Sequence, residues 1–157
     1  MPDLTEGQPF PDFDLPEADG GRVTRASLAG KPFVVFVYPK ADTPGCTLES
    51  NDFTRLKPQF DALGVAVLGL SADPIKALCK FRDKHGLAVP LLSDDVKALL
   101  GAMGVWGEKS MYGRTYMGAE RTTVLVDGAG TIAKVWAKVK VEGHAEAVLE
   151  AGRAQAA

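Results

Sequence analysis

Only two cysteines and two histidines occur in 157 residues. Two thiols are too few for a disulfide scaffold, and Cys46 and Cys79 form no C-x-x-C pair. The soft ligands are Cys46, Cys79, His85 and His144. None of the usual zinc spacings occurs among them, so no metal is expected. Surplus charge is missing too: a formal net charge of -2 gives no pull toward nucleic acid or anionic membranes. No apolar run approaches the ~18 residues of a membrane span. The start, Met1 to Glu6, lacks the basic stretch and apolar core of a signal peptide, which makes a reducing, cytoplasmic setting the expectation. No repeat, linker or low-complexity segment divides the chain, so 1–157 reads as one domain. What is present suits a packed fold: 46% hydrophobic and 24% charged residues exclude disordered and collagen-like chains.

Along the chain, Gln8 to Leu15 reads as a loop or short edge strand. Ala18-Asp19-Gly20-Gly21 is a turn, with Arg22 to Thr24 as its hairpin partner. Phe33 to Tyr38 is apolar on both faces, as a central covered strand should be. A helix follows from Thr43 to about Phe60, in which Pro58 predicts a kink or an end near Lys57. Val65 to Leu70 is a second buried strand. Asp73-Pro74 caps a helix to about Lys84, stopped by His85-Gly86. Val89 to Leu92 is a short strand, and Asp94 or Asp95 opens a short helix ending at Gly101. Residues 104–120 show no clear period and read as a long structured loop. Thr122 to Val126 and Thr131 to Trp136 flank Asp127-Gly128-Ala129-Gly130, a strong hairpin signal. A last helix runs from Glu142 or Gly143 to about Gly152. Strands alternating with helices imply an α/β architecture with right-handed parallel crossovers, to which the last hairpin adds antiparallel strands. The arrangement expected is thioredoxin-like: a mixed central sheet, helices on both faces and an N-terminal β-hairpin extension.

Cys46 is the most informative residue. It lies just past the strand ending at Tyr38. Thr43-Pro44 before it reads as an N-cap followed by proline at the first helical position. Gly45 is then second and Cys46 third. A sulfur there faces unpaired N–H groups and the positive end of the helix dipole, which favours thiolate over thiol.

Pro39, Thr43 and Cys46 fit the pattern P-x-x-x-[ST]-x-x-C, and the run Tyr38-Pro39-Lys40-Ala41-Asp42-Thr43-Pro44-Gly45-Cys46-Thr47 resembles the bacterioferritin-comigratory-protein (PrxQ) branch of the peroxiredoxins. Val65 to Asp73, Pro90 to Asp94 and Glu120 to Thr123 also have counterparts in that branch. The resemblance implies a thiol peroxidase that reduces hydrogen peroxide and organic (alkyl) hydroperoxides. It also implies electrons from thioredoxin or a similar dithiol protein, no metal, flavin or nucleotide cofactor, and a monomer. Cys46 would be the attacking thiolate in an in-line displacement on the O–O bond. Thr43 can turn its hydroxyl to the sulfur or the peroxide, and the backbone N–H groups of Gly45 and Cys46 can donate to a peroxide oxygen. Pro39, with no N–H, would shield the sulfur from water. Arg121 matches the arginine that the resemblance places beside the cysteine. Glu49, one turn after Cys46, would hold Arg121, and Tyr38 would form part of the pocket wall. His85 and His144, at helix boundaries, are expected to contact carbonyls or solvent, and Trp106, Tyr112 and Tyr116 to pack within a loop.

One position departs from the pattern. Many members of the branch carry a resolving cysteine five residues after the first; Asn51 stands there instead. Other members carry it in the next helix, where Cys79 falls. Ile75, Leu78 and Cys79 share one face of that helix, so Cys79 either resolves the sulfenic acid or only packs in the core. A disulfide needs Cα atoms within about 7 Å, which implies local unwinding around both cysteines. The competing readings are a one-cysteine peroxidase reset by an external thiol, a non-catalytic redox sensor and a thioredoxin-fold binding module. The missing C-x-x-C argues against a disulfide isomerase.

Overall fold

The computed structural model describes residues 4–155. The first three residues of the Met1–Glu6 stretch, and the last two of the chain, lie outside them.

A short antiparallel hairpin opens the chain, β1 (Asp14–Pro16) with β2 (Arg22–Thr24). It is followed by β3 (Phe33–Val37), α1 (Pro44–Ala62), β4 (Ala66–Ser71), α2 (Ile75–His85), β5 (Leu91–Ser93) and α3 (Ala98–Ala102). The second half comprises β6 (Trp106–Met111), β7 (Arg114–Ala119), β8 (Thr122–Val126), β9 (Ile132–Trp136) and α4 (His144–Gln155). The central sheet has the order β5-β4-β3-β8-β9. Strands β3, β4 and β5 are parallel; β8 and β9 join antiparallel.

Strand β3 shows why its residues are all apolar. Side chains alternate between the faces of a strand. Val34, Phe36 and Tyr38 enter one core cluster with Phe53 and Phe60 of α1, Leu78 and Phe81 of α2 and Val148 of α4. Phe33, Val35 and Val37 enter the other, with Phe10 and Phe13 of the N-terminal segment and Leu99 and Leu100 of α3. Both faces are covered, so neither tolerates a polar residue. Gly69 of β4 is required by this packing. A Cβ there would lie 2.9 Å from a Leu91 methyl and 3.0 Å from the Phe36 ring.

Several expectations fail in instructive ways. Pro58 does not end α1, which continues to Ala62. Proline removes one backbone bond, but Phe53, Leu56 and Phe60 are 0–4% exposed and anchor the helix on both sides of it. Pro58 itself lies on the exposed side, where a lost bond is least costly. Asp73 does not cap α2. Its carboxylate accepts from the Ala41 N–H and the Ser71 hydroxyl, each at 2.8 Å, tying the β4–α2 turn to the segment after β3. Asp94 is fully buried and accepts from the N–H groups of Ala98 and Leu100, so α3 begins several residues later than expected. α4 also runs on past Gly152 to Gln155.

The largest correction concerns 104–120. This stretch is an antiparallel hairpin, β6 with β7, rather than a loop. Its two-residue turn, Tyr112-Gly113, has positive φ at both positions (52° and 77°). That is the backbone of the tight turn suited to hairpins, normally signalled by Asn-Gly or Asp-Gly. The strands carry no apolar alternation because much of the hairpin is open to solvent, with Tyr116 and Met117 about half exposed.

Candidate active site

The strand-to-helix connection after β3 sets the geometry. Thr43 is the N-cap of α1 with extended backbone, and Pro44 is the first helical residue. The first intrahelical bond runs from the Thr47 N–H to the Thr43 carbonyl at 2.9 Å. The N–H groups of Gly45 and Cys46 precede it and have no acceptor within the helix. Here the Thr43 side chain departs from expectation. Its hydroxyl makes no cap bond and instead donates to the Lys40 carbonyl at 2.8 Å. That bond tightens the turn and leaves the first-turn donors available to a ligand.

Cys46 is 1% exposed and a free thiol. Its sulfur accepts a hydrogen bond from Arg121 Nη2 at 3.3 Å. The other end of the same guanidinium, Nη1, donates to Glu49 Oε1 at 2.6 Å. Arg121 stands immediately before β8, next to β3 in the sheet, so the sheet fixes its distance from the start of α1. Gly45 is part of this arrangement for a reason the sequence did not reveal. A Cβ at Gly45 would lie 3.1 Å from Arg121 Nη2, crowding the guanidinium away from the sulfur.

The electrostatics follow from burial. Glu49 is 1% exposed, and burial pushes its pKa up to about 7 against the lowering influence of Arg121. One of its carboxylate oxygens has no hydrogen-bond partner among the described residues. Burial works against the charge on Arg121, but Glu49 and Cys46 outweigh it and raise the pKa. The guanidinium therefore stays charged and is held between one carboxylate and one sulfur, in a fork suited to two acceptors.

An open cavity of about 550 Å³ contains this group. Pro39, Thr43, Cys46 and Arg121 line its floor, and Trp106, Tyr116 and Met117 of the β6–β7 hairpin line a wall. The hairpin that sequence reasoning took for loop packing is thus a side of the site. Only Tyr112, 97% exposed at the turn, stands apart. Tyr38 does not line the cavity. It is fully buried in the helix-side core, its hydroxyl has no hydrogen-bond partner among the described residues, and burial raises its pKa strongly.

Cys79 also lies away from the cavity. It is half-buried on α2, packed against the helix-side core, and its sulfur donates to the Ala18 carbonyl at 3.1 Å. His144 departs from expectation, whereas His85 sits at the end of α2 and is partly open to solvent. His144 is buried, with Nε2 2.8 Å from the Thr123 hydroxyl and its ring edge-on to Phe53 and Trp136. Burial, with Arg121 adding to it, pushes its pKa down to about 4, so the ring is neutral. His85 pairs with Asp42 at 2.8 Å, beside Lys84.

Chemically, the group offers one buried sulfur, two unused backbone donors and a fixed cation. These are the parts needed to hold a peroxide and to support charge moving onto a leaving oxygen. Comparison with known proteins points the same way. The AhpC/TSA family model matches residues 6–135. Peroxiredoxin Bcp of Xanthomonas campestris pv. campestris is 44% identical over 158 residues, covering 99% of each chain. A structure of Xanthomonas campestris peroxiredoxin Q superposes with a TM-score of 0.87 at 44% identity, covering 92% of both chains. Another, of the bacterioferritin comigratory protein from that organism and concerned with its alkyl peroxide reduction activity, gives 0.88 at 41% identity over 100% of both.

Proposed function

We propose that in this chain, which belongs to the AhpC/TSA family and is a thiol-dependent peroxidase, Cys46 is the residue that attacks the peroxide. The thiolate bonds to one peroxide oxygen as the O–O bond breaks. The other oxygen leaves with the electron pair and takes a proton, giving water or an alcohol and a sulfenic acid on Cys46. Hydrogen peroxide and alkyl hydroperoxides are the substrates. Arg121 stabilises the thiolate and braces the peroxide, and the N–H groups of Gly45 and Cys46 donate to its oxygens. Thr43 holds the turn through Lys40 and lines the cavity beside Cys46. Pro39 keeps water from the sulfur, and Glu49 positions Arg121. The observation that carries this reading is the single guanidinium shared between the Cys46 sulfur and Glu49.

The sulfenic acid is reset by Cys79, with loss of water and formation of a Cys46–Cys79 disulfide, which thioredoxin or a similar dithiol protein then reduces. Cys46 is buried in the first turn of α1, and Cys79 is bonded to Ala18 away from the cavity. Joining them requires both segments to unwind locally. The Cys79–Ala18 bond favours a second reading, in which Cys79 only packs and an external thiol resets Cys46. Mass spectrometry after one equivalent of peroxide under native conditions separates the two. A loss of two hydrogens with a Cys46–Cys79 crosslink is expected. A sulfenic acid that persists in wild type, as in a Cys79→Ser variant, contradicts intramolecular resolution. The protein works as a cytoplasmic monomer.

A further inference from the structure

The lining of the cavity that holds Cys46 is unevenly charged. Lys40, Lys97, Lys109 and Arg121 line it, against a single carboxylate, Asp73. Asp73 is occupied by the Ala41 N–H and the Ser71 hydroxyl. Arg121 is occupied by Glu49 and Cys46. The three lysines make no salt bridge among the described residues, though the Lys109 ammonium donates to the Ala119 carbonyl at 3.0 Å.

Lys97 is held in place by an unusual backbone. Its φ is 61°, a left-handed conformation rare for a residue with a side chain. Buried Asp94 enforces it: the Lys97 N–H donates to the Asp94 carbonyl, while the Asp94 carboxylate takes the N–H groups of Ala98 and Leu100. The ammonium is thereby placed 5.4 Å above the Trp106 ring, at the cavity wall. A strained residue kept strained by a buried neighbour is a reason to ask what its side chain does. Beside it, Trp106, Tyr116 and Met117 supply apolar surface.

The geometry points to a site for organic hydroperoxides that carry an anionic head group, with Lys97 as the residue that selects for the charge. The apolar body lies on the β6–β7 hairpin, the hydroperoxide reaches Cys46 and Arg121, and the carboxylate or phosphate end meets Lys97, with Lys40 and Lys109 adding to the field. This inference rests on Cys46 being the peroxide-reactive residue.

Three probes with the same body test it: cumene hydroperoxide, its ring-carboxylated analogue and its ring-trimethylammonium analogue. Stopped-flow rates of Cys46 oxidation are measured at low and high ionic strength. The anionic probe should react roughly three- to tenfold faster than the cationic one at low salt, the size expected of one to three partly exposed charge contacts. The preference should shrink as salt screens it. It should fall toward one in Lys97→Gln and survive in Lys97→Arg. Equal wild-type rates for the three probes overturn the inference, as does a preference that Lys97→Gln leaves unmoved. The wild-type salt dependence needs no variant, so poor folding of Lys97→Gln does not protect the inference. If no probe oxidises Cys46 at all, the peroxidase assignment of Cys46 falls first and takes this one with it.

Discussion

Replacing Cys46 with serine should lower peroxide turnover by at least about a thousandfold, as loss of a catalytic nucleophile does elsewhere. Serine is nearly isosteric, and the site is already polar on one side through Arg121, so the fold should survive. The loss is chemical: at neutral pH a hydroxyl beside a guanidinium remains protonated, and it is a poor nucleophile toward an O–O bond. Circular dichroism and thermal melting check the fold while peroxide consumption with thioredoxin checks the activity. A Cys46→Ser protein that still consumes peroxide at the wild-type rate contradicts the assignment. The binding-module reading, by contrast, expects Cys46→Ser to leave function intact.

Arg121→Met should reduce the rate of Cys46 oxidation about 10²–10³-fold, the usual cost of removing one donor to a developing negative charge. It should also change how stability depends on pH. Arg121 lowers the Glu49 pKa, while burial raises it to about 7. Without the arginine, Glu49 keeps only burial and the nearby Asp52 charge, both of which raise its pKa, so the pKa rises further. An acid whose folded pKa lies above its unfolded value contributes stability at low pH and loses it as pH rises through the folded value. Wild type therefore loses this contribution as pH climbs from about 4.5 toward about 7. Arg121→Met should be more destabilised at pH 8 than at pH 6, because a buried carboxylate is then left without its cation. Adding Glu49→Gln should remove that pH-dependent part and leave the rate defect in place. Denaturant midpoints at the two pH values measure the first effect, and stopped-flow oxidation the second.

The sequence discloses the parts of the fold that burial writes into residue choice. The run Phe33-Val34-Val35-Phe36-Val37 is covered on both faces, and the Asp127–Gly130 turn joins two strands with buried positions. Both were readable for that reason. The β6–β7 hairpin was not: its open faces leave no period, and Tyr112 takes the positive φ that a more telling residue would have announced. Pro58 misled because a local rule was weighed without the core residues on either side of it.

The site divides in the same way. Cys46 and Arg121 came from motifs, and the structure puts them in contact. The role of Gly45 in leaving room for the guanidinium depends on a neighbour 76 positions away, which no local pattern encodes. The Thr43 hydroxyl bond to Lys40, and the place of Trp106, Tyr116 and Met117 on the cavity that Cys46 also lines, depend likewise on how the chain folds back. His144 does stand at a helix boundary, but it is buried and neutral because the start of α4 packs against β8.

The most direct measurement is the second-order rate at which hydrogen peroxide oxidises Cys46 in the intact protein at pH 7, followed by stopped-flow. With Arg121 and the first-turn N–H groups in place, the rate should exceed that of free cysteine by at least about a hundredfold, the lower end of what one such donor contributes. A rate no faster than free cysteine would mean that the Cys46 site is not activated, and would contradict the account.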